Sequence, residues 1–157
     1  MPSSRDRIAM TEPEVADFLG SHVKVQVATI GPAGEPHLTT LFYVVDDGKV
    51  AFWTFGRSQK VVNLRRDPRI SALVEDGTAY DELRGVSITG TARIVTDYDA
   101  VRRIGGLVMT AMAGDQVIDA ETQELADAVV EQQAHKRVVI VVEPDHVASW
   151  DHGKMAG

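Results

Sequence analysis

The sequence has no cysteine among its 157 residues. Disulfide bonds, thiolate metal sites and a cysteine nucleophile are therefore excluded. Long apolar runs are also missing, since no stretch approaches the roughly 18 consecutive apolar residues that a membrane-spanning helix needs. Residues 1–10 mix Ser, Arg and Asp and lack the hydrophobic segment of a signal peptide. We therefore predict a cytoplasmic protein with no membrane association.

An excess of positive charge is lacking as well. The formal net charge is −7 at pH 7, and an acidic surface repels nucleic acid and anionic membranes. We therefore predict no nucleic-acid partner. Apolar residues make up 44% and charged residues 25% of the chain, which is typical of one folded globular domain.

The common motifs of nucleotide and hydrolase sites are missing. The sequence contains no Gly-x-Gly-x-x-Gly after a strand pattern, no P-loop and no Gly-x-Ser-x-Gly. Its five histidines lack the His-x-x-x-His spacing of a zinc-binding helix. We predict no metal site and, because no acid–base pair stands out, no catalytic side chain.

The pattern of apolar residues predicts both strands and helices. Alternating apolar residues predict strands at 22–30, 37–45, 50–54, 69–74, 86–95 and 138–147. Apolar residues three to four positions apart predict helices at 11–20, 58–66, 97–112 and 121–135. Gly105 and Gly106 weaken the third of these helices by about 1 kcal/mol each relative to alanine.

This order of elements predicts one α+β domain built on an antiparallel barrel. The domain covers 11–152 and carries the binding site. A flexible N-terminus is predicted at 1–10 and a C-terminal tail at 153–157.

The helix predicted at 58–66 has an unusual charge at its start. A helix N-terminus exposes unpaired N–H groups and a partial positive charge, so acidic residues usually lie there. Here Arg57 and Lys60 flank Ser58, and Val61 stands where a capping-box carboxylate would be. Residues 57–69 hold five basic residues and one acidic residue, a net charge of +4. A bound phosphate would accept bonds from the helix amides, the Ser58 hydroxyl and both cations.

Several stretches resemble the pyridoxamine-phosphate-oxidase-like flavoproteins. One is the strand, turn and helix start Phe52-Trp53-Thr54-Phe55-Gly56-Arg57-Ser58-Gln59-Lys60, with Asn63-Leu64 and Asp67-Pro68 after it. Another is the turn Gly34-x-Pro36-His37. The stretch 80–92, with Leu83-Arg84-Gly85-Val86 and Gly90-x-Ala92, and the stretch 147–151 are similar to the flavin and deazaflavin oxidoreductases, particularly those that use coenzyme F-420.

The resemblance implies an antiparallel split β-barrel of six or seven strands with peripheral helices. It also implies a homodimer with two cofactor sites in grooves at the dimer interface. We expect an oxidoreductase in which coenzyme F-420 transfers hydride to a conjugated small organic acceptor. The alternatives are an FMN-dependent oxidase or reductase and a non-catalytic protein that binds flavin or haem. Oxidases acting on pyridoxamine phosphate carry an Arg-x-His element near the C-terminus, which residues 150–154 lack, so we do not expect that activity.

The resemblance also assigns cofactor-binding residues. In the family the strand end supplies a Thr or Ser and the basic pair at the helix start binds the cofactor phosphate. This assigns Thr54 to the ribityl or phosphate region, and Arg57, Ser58 and Lys60 to the phosphate. We also expect the Ser58 side chain to cap the helix.

The second strand is expected to border the cofactor ring. The residues concerned are Thr39, Thr40, Leu41 and Tyr43. For the other polar residues nearby two interpretations stay open, a ligand contact or a solvated surface position. These residues are His37, Arg65, Arg66, Arg69, Lys136 and Arg137.

Overall fold

The computed structural model describes residues 3–156. Its helices are α1 (Ser4–Ile8), α2 (Glu12–Gly20), α3 (Gln59–Arg66), α4 (Tyr98–Ala113) and α5 (Ala120–Ala134). Its strands are β1 (Lys24–Ile30), β2 (Pro36–Phe42), β3 (Val44–Asp46), β4 (Lys49–Phe55), β5 (Arg69–Asp76), β6 (Arg84–Val95) and β7 (Arg137–Asp151). Short 3₁₀ turns lie at Tyr80–Glu82 and His152–Ala156. The predicted elements are confirmed, except that the second predicted strand divides at Tyr43 and the last strand is longer.

The seven strands form one antiparallel sheet in the order β2-β1-β5-β6-β7-β4-β3. The two edge strands, β2 and β3, are consecutive in the chain and are joined at Tyr43. The sheet must therefore curl until its edges meet, which is the geometry of a split barrel. The Tyr43 amide donates a hydrogen bond to the Val23 carbonyl at 2.9 Å and holds this junction against the chain before β1. The predicted fold class is confirmed.

Strand β4 is buried on both of its faces and separates two apolar cores. Val50 and Phe52 point into the barrel, where α2 and α3 also contribute buried residues. Ala51 and Trp53 point outward and pack against α4 and α5. Full burial of a side chain such as Phe52 contributes about 1.5–3 kcal/mol. The barrel interior and the outer helical layer are thus fixed to the same strand, which ends at the candidate site.

The glycine pair inside α4 serves this packing. A Cβ atom at Gly105 would lie 2.4 Å from a ring carbon of Trp53, whereas a Cβ at Gly106 would meet nothing within 4 Å. Glycine at position 105 lowers the helix propensity of α4. It is nevertheless required there, because the indole of Trp53 lies against the helix backbone and leaves no room for a side chain.

The ends of the chain are more ordered than the sequence pattern indicates. Helix α1 lies in the stretch predicted to be flexible and begins with a capping box at Ser3. The Met10 amide donates to the Ser149 hydroxyl at 3.0 Å, and Lys154 in the predicted tail forms an ion pair with Glu14 at 2.6 Å. These contacts join residues about 140 positions apart, so the local pattern could not reveal them. In the part of the chain that the structure describes, no helix has both the length and the apolar character to cross a membrane.

Candidate functional site

The candidate site is the turn that joins β4 to α3. Ser58 is the N-cap residue of α3, with extended backbone angles of φ −65° and ψ 154°. Its hydroxyl accepts no hydrogen bond from the helix, so the predicted cap is wrong. The Ser58 Oγ atom is nevertheless buried and has no hydrogen-bond partner. A buried hydroxyl without a partner costs free energy unless a ligand or water satisfies it.

The other helices differ from α3 at this position. In each of α1, α2, α4 and α5 the N-cap side chain accepts a hydrogen bond from a first-turn amide. The residues that do so are Ser3, Thr11, Asp97 and Asp119. In α3 the amides of Gln59 and Lys60, which open the helix, have no acceptor within it. The start of α3 therefore offers donors that the chain itself does not use.

Two cations flank these donors. The Arg57 side chain is exposed, and the Lys60 side chain is partly buried, with its Nζ donating to the Thr54 hydroxyl at 3.3 Å. Within residues 3–156, neither cation forms an ion pair with a carboxylate. Burial lowers the pKa of the Lys60 ammonium below its usual range, and the charge of Arg137 lowers this pKa further. The site is positive and lacks a counter-charge.

Helix α3 is fixed to the barrel by buried polar groups. The Asn63 side chain, which is fully buried, donates to the Thr29 hydroxyl at 3.0 Å. Gln59 donates to the Asn63 side-chain oxygen at 2.8 Å and completes the connection. This chain of hydrogen bonds sets the position of the helix start relative to β1. The sequence signal for this connection, which was not used above, is the polar Asn63 between the apolar residues of α3.

The first half of β2 carries two more buried polar atoms that have no hydrogen-bond partner. They are Nδ1 of His37 and Oγ1 of Thr39. His37 pairs across the sheet with Thr29, and Thr39 pairs with Val27, so both side chains share the face that lines the barrel. Thr39 was a predicted ring contact, and its position is compatible with that role.

The remaining predicted residues of this region have no unpartnered polar atom in the barrel. Thr40 is exposed on the opposite face of β2, and Leu41 packs against the barrel core. Tyr43 is fully buried and donates its phenolic hydrogen to the Leu19 carbonyl at 2.6 Å. Burial raises the pKa of the Tyr43 phenol above its usual range. The structure therefore brings Thr54, Arg57, Ser58 and Lys60 together and separates Tyr43 from them.

Arg137 is a further cation near the site, for which the sequence allowed either a ligand contact or a solvated surface position. Its guanidinium carbon lies 4.5 Å from the ring centroid of Trp53 and 4.0 Å from that of Phe55. Because Arg137 pairs with Phe55 across the sheet, the start of β7 brings this cation to the end of β4. Burial lowers the pKa of Arg137. Among the described residues, no group of three or more His, Cys, Asp or Glu side chains is placed to hold a metal ion.

A family model for pyridoxamine 5'-phosphate oxidase matches residues 11–151 of the chain. The chain belongs to this family. The match spans the whole barrel, including β4, α3 and the turn between them, so the candidate site lies on elements that the family shares. The family relationship places the protein in a superfamily of flavin-binding split barrels.

Solved structures give the same fold. The chain is similar to a conserved hypothetical protein, Rv2991, from Mycobacterium tuberculosis, with 43% identity, a TM-score of 0.87 and coverage of 99% of this chain and 94% of that one. An F-420 reductase has 19% identity, a TM-score of 0.63 and coverage of 94% and 98%. The haem storage protein HutZ from Vibrio cholerae has 15% identity, a TM-score of 0.63 and coverage of 88% and 94%. No curated protein matches the sequence significantly.

Proposed function

We propose that the protein is an oxidoreductase that holds the phosphate of coenzyme F-420 at the start of α3. FMN is the alternative cofactor. The observation that carries the proposal is the Ser58 hydroxyl, which is buried without a partner at the one described helix start that carries cations in place of a cap. A phosphate group would accept hydrogen bonds from this hydroxyl and from the first amides of α3.

The residues at this site fit a phosphate and fit no cation. Arg57 and Lys60 supply two charges without carboxylate partners, and each charge-assisted hydrogen bond contributes roughly 1.5–3 kcal/mol. The Thr54 hydroxyl accepts a hydrogen bond from the Lys60 Nζ at 3.3 Å and so ties that ammonium to the end of β4. Thr39 and His37 offer two further polar atoms, on the barrel-lining face of β2, to the rest of the ligand.

A bound flavin or deazaflavin itself supplies the hydride chemistry, so the chain needs only to bind, orient and shield it. This agrees with a site that contains no acid–base pair. We assign no catalytic side chain, and the proton that reduction of the acceptor requires would come from solvent. The acceptor would be a conjugated organic molecule that stacks on the exposed face of the ring.

A second copy of the chain would cover the outer face of this part of the sheet. Leu38 is 68% exposed on the outer face of β2. Leu38 pairs with Ala28 on β1, and the next residues in this row are Ser71 on β5 and Thr89 on β6. These three small side chains line a groove of about 410 Å³. Small side chains allow another sheet to approach closely, so we propose that this face forms a homodimer. Sedimentation of wild type and Leu38→Asp tests it, and a monomeric wild type with full cofactor affinity would overturn it.

The test of function is a parallel titration of the purified protein with coenzyme F-420 and with FMN. The proposal expects F-420 to bind more tightly, and the protein loaded with chemically reduced F-420 to pass hydride to a conjugated acceptor, which takes its proton from solvent while the cofactor is returned to its oxidised form. Tighter binding of FMN would support the FMN-dependent alternative. Tight binding without hydride transfer to any acceptor would indicate a carrier, and failure of both cofactors to bind would refute the proposal.

A further inference from the structure

A groove of about 840 Å³ adjoins the start of α3. Its walls are the β4–α3 turn, the last turn of α3, the start of α4 and the turn between α5 and β7. Arginine and lysine line it at four positions, and no carboxylate lines it. The four cations are Arg57, Arg65, Lys136 and Arg137. A volume of this size is typical of small-molecule sites.

The groove cations differ from most of the basic residues outside the groove in forming no ion pair. Within residues 3–156, seven lysines and arginines outside the groove form ion pairs with carboxylates, and none of the four groove cations does. The paired residues are Lys49, Arg69, Arg84, Arg93, Arg102, Arg103 and Lys154. The chain has 23 acidic and 16 basic residues, so a shortage of carboxylates does not explain the difference.

Arg137 is held in place by its aromatic neighbours. Its guanidinium lies over the rings of Trp53 and Phe55, and its Nε donates to the Gln133 side-chain oxygen at 3.5 Å. The two terminal NH₂ groups remain able to donate to a ligand. A guanidinium fixed in this way loses little side-chain entropy when it binds a phosphate or carboxylate. The burial that lowers its pKa also strengthens any such contact.

The groove is continuous with the candidate phosphate site. Arg57 lines the groove and directly precedes Ser58. Arg137 lies near enough to Lys60 for its charge to lower the pKa of that ammonium. A ligand whose phosphate lies at Ser58 could therefore extend a second anionic group along the groove without leaving protein contact.

We propose that Lys136 and Arg137, with Arg57 between them and Ser58, form a second anion subsite for the same ligand. This inference rests on the function proposed above. It predicts that the protein prefers ligands with two or more separated anionic groups over ligands with a single phosphate. Such a group is a second phosphate or a carboxylate, because both match the N–H edge of arginine.

The experiment compares three ligands across two variants. FMN carries one phosphate, FAD carries two, and coenzyme F-420 carries a phosphate and tail carboxylates, so the last two distinguish the two anion types. Lys136→Gln is the main variant, because Lys136 is exposed and its loss should not affect folding. Arg137→Gln is the second. Lys24→Gln, an exposed lysine at the far end of β1, is the matched control.

The proposal expects Lys136→Gln to weaken F-420 or FAD by about tenfold, the effect of losing one charge-assisted contact, while FMN changes less than twofold. Arg137→Gln should weaken F-420 or FAD by a larger factor than FMN, whose phosphate also feels the charge of Arg137 through Lys60. A loss for F-420 alone would indicate a carboxylate site, and a loss for FAD alone a diphosphate site. Equal small changes for all three ligands would overturn the subsite. Even if the groove variants had such equal small effects, weaker binding of every ligand by Lys60→Met would still support the proposed function, and only the second subsite would be refuted.

A test without cofactor uses Trp53, whose ring contacts Arg137. Tripolyphosphate should change the tryptophan fluorescence of the wild type, and Lys136→Gln should require about ten times more of it. This measurement remains decisive even if none of the three cofactors binds. No fluorescence response, or the same midpoint in wild type and variant, would overturn the subsite.

Discussion

Replacement of Lys60 by methionine should have opposite effects on the ligand-free and the ligand-bound protein. The Lys60 Nζ atom is partly buried, donates only to the Thr54 hydroxyl at 3.3 Å and has no carboxylate partner among the described residues. Its charge is therefore unfavourable in the empty site. Methionine keeps an apolar stem of similar length and removes the charge, so Lys60→Met should unfold at the same or a higher temperature than wild type.

The direction of the pH dependence follows from the lowered pKa of Lys60. Because the folded protein binds this proton less tightly than the unfolded chain does, the charge opposes folding at neutral pH. As the pH rises through the lowered pKa, the folded state loses the proton and this cost disappears. The stability advantage of Lys60→Met should therefore be present at pH 7 and shrink as the pH approaches the ordinary lysine value of 10.5.

With cofactor bound, the effect should reverse. Loss of one charge-assisted hydrogen bond to phosphate costs about 1.5–3 kcal/mol, which weakens binding roughly 10- to 150-fold. Thermal melts of the ligand-free proteins and titrations with coenzyme F-420 and FMN measure the two effects. Lys24→Met is the matched control, since Lys24 is exposed at the first residue of β1, whereas α3 contacts β1 near its last residues. Lower ligand-free stability with unchanged affinity would show a structural lysine and refute the phosphate assignment.

Two further predictions concern packing. Gly105→Ala should destabilise the protein by about 1–3 kcal/mol, because the new Cβ would lie 2.4 Å from the Trp53 ring, whereas Gly106→Ala should stabilise it by roughly 0.5–1 kcal/mol. Urea unfolding of both variants checks the contrast, and equal effects would contradict it. Tyr43→Phe should cost about 1–3 kcal/mol, because the buried Leu19 carbonyl loses its donor. The same variant should bind cofactor within twofold of wild type, and a larger loss of affinity would return Tyr43 to the site.

The fold could be predicted from the sequence because its strands are coded locally. Alternating apolar residues in β1, β5 and β6 and the glycine turns between strands identify the elements one by one. The charge at the start of α3 is local too, and it was enough to predict a phosphate site at Arg57, Ser58 and Lys60. The closure of the barrel at Tyr43 is different, because it depends on which strands become neighbours. No local pattern contains that information.

The site was less predictable where it depends on the faces of β2 and on distant residues. Thr39 and Thr40 were predicted to border the same ring, but neighbouring residues of a strand point to opposite faces, so at most one of them could. The two aromatic rings around Arg137 belong to a strand about 80 residues earlier in the chain. Only the pairing of β4 with β7 brings them together, so this cation could be noticed in the sequence but not assigned.

The stretches 80–92 and 147–151, which both resemble the flavin and deazaflavin oxidoreductases, are in direct contact. Each supplies one residue of a tightly packed pair. Gly85 on β6 lies directly opposite Trp150 on β7, and a Cβ at Gly85 would lie 2.2 Å from the indole ring. Gly85 is not among the glycines with positive φ, so the indole and not the backbone requires it. Gly85→Ala should therefore cost about 1–3 kcal/mol in wild type.

In a Trp150→Leu background the same Gly85→Ala change should cost little or even stabilise the protein, since alanine suits a strand better than glycine does when space allows. Denaturant unfolding of the wild type, both single variants and the double variant gives the coupling between the two positions. We expect a coupling of about 1 kcal/mol or more. Additivity within roughly 0.5 kcal/mol would mean that the two positions are independent, and the glycine would then need a different explanation.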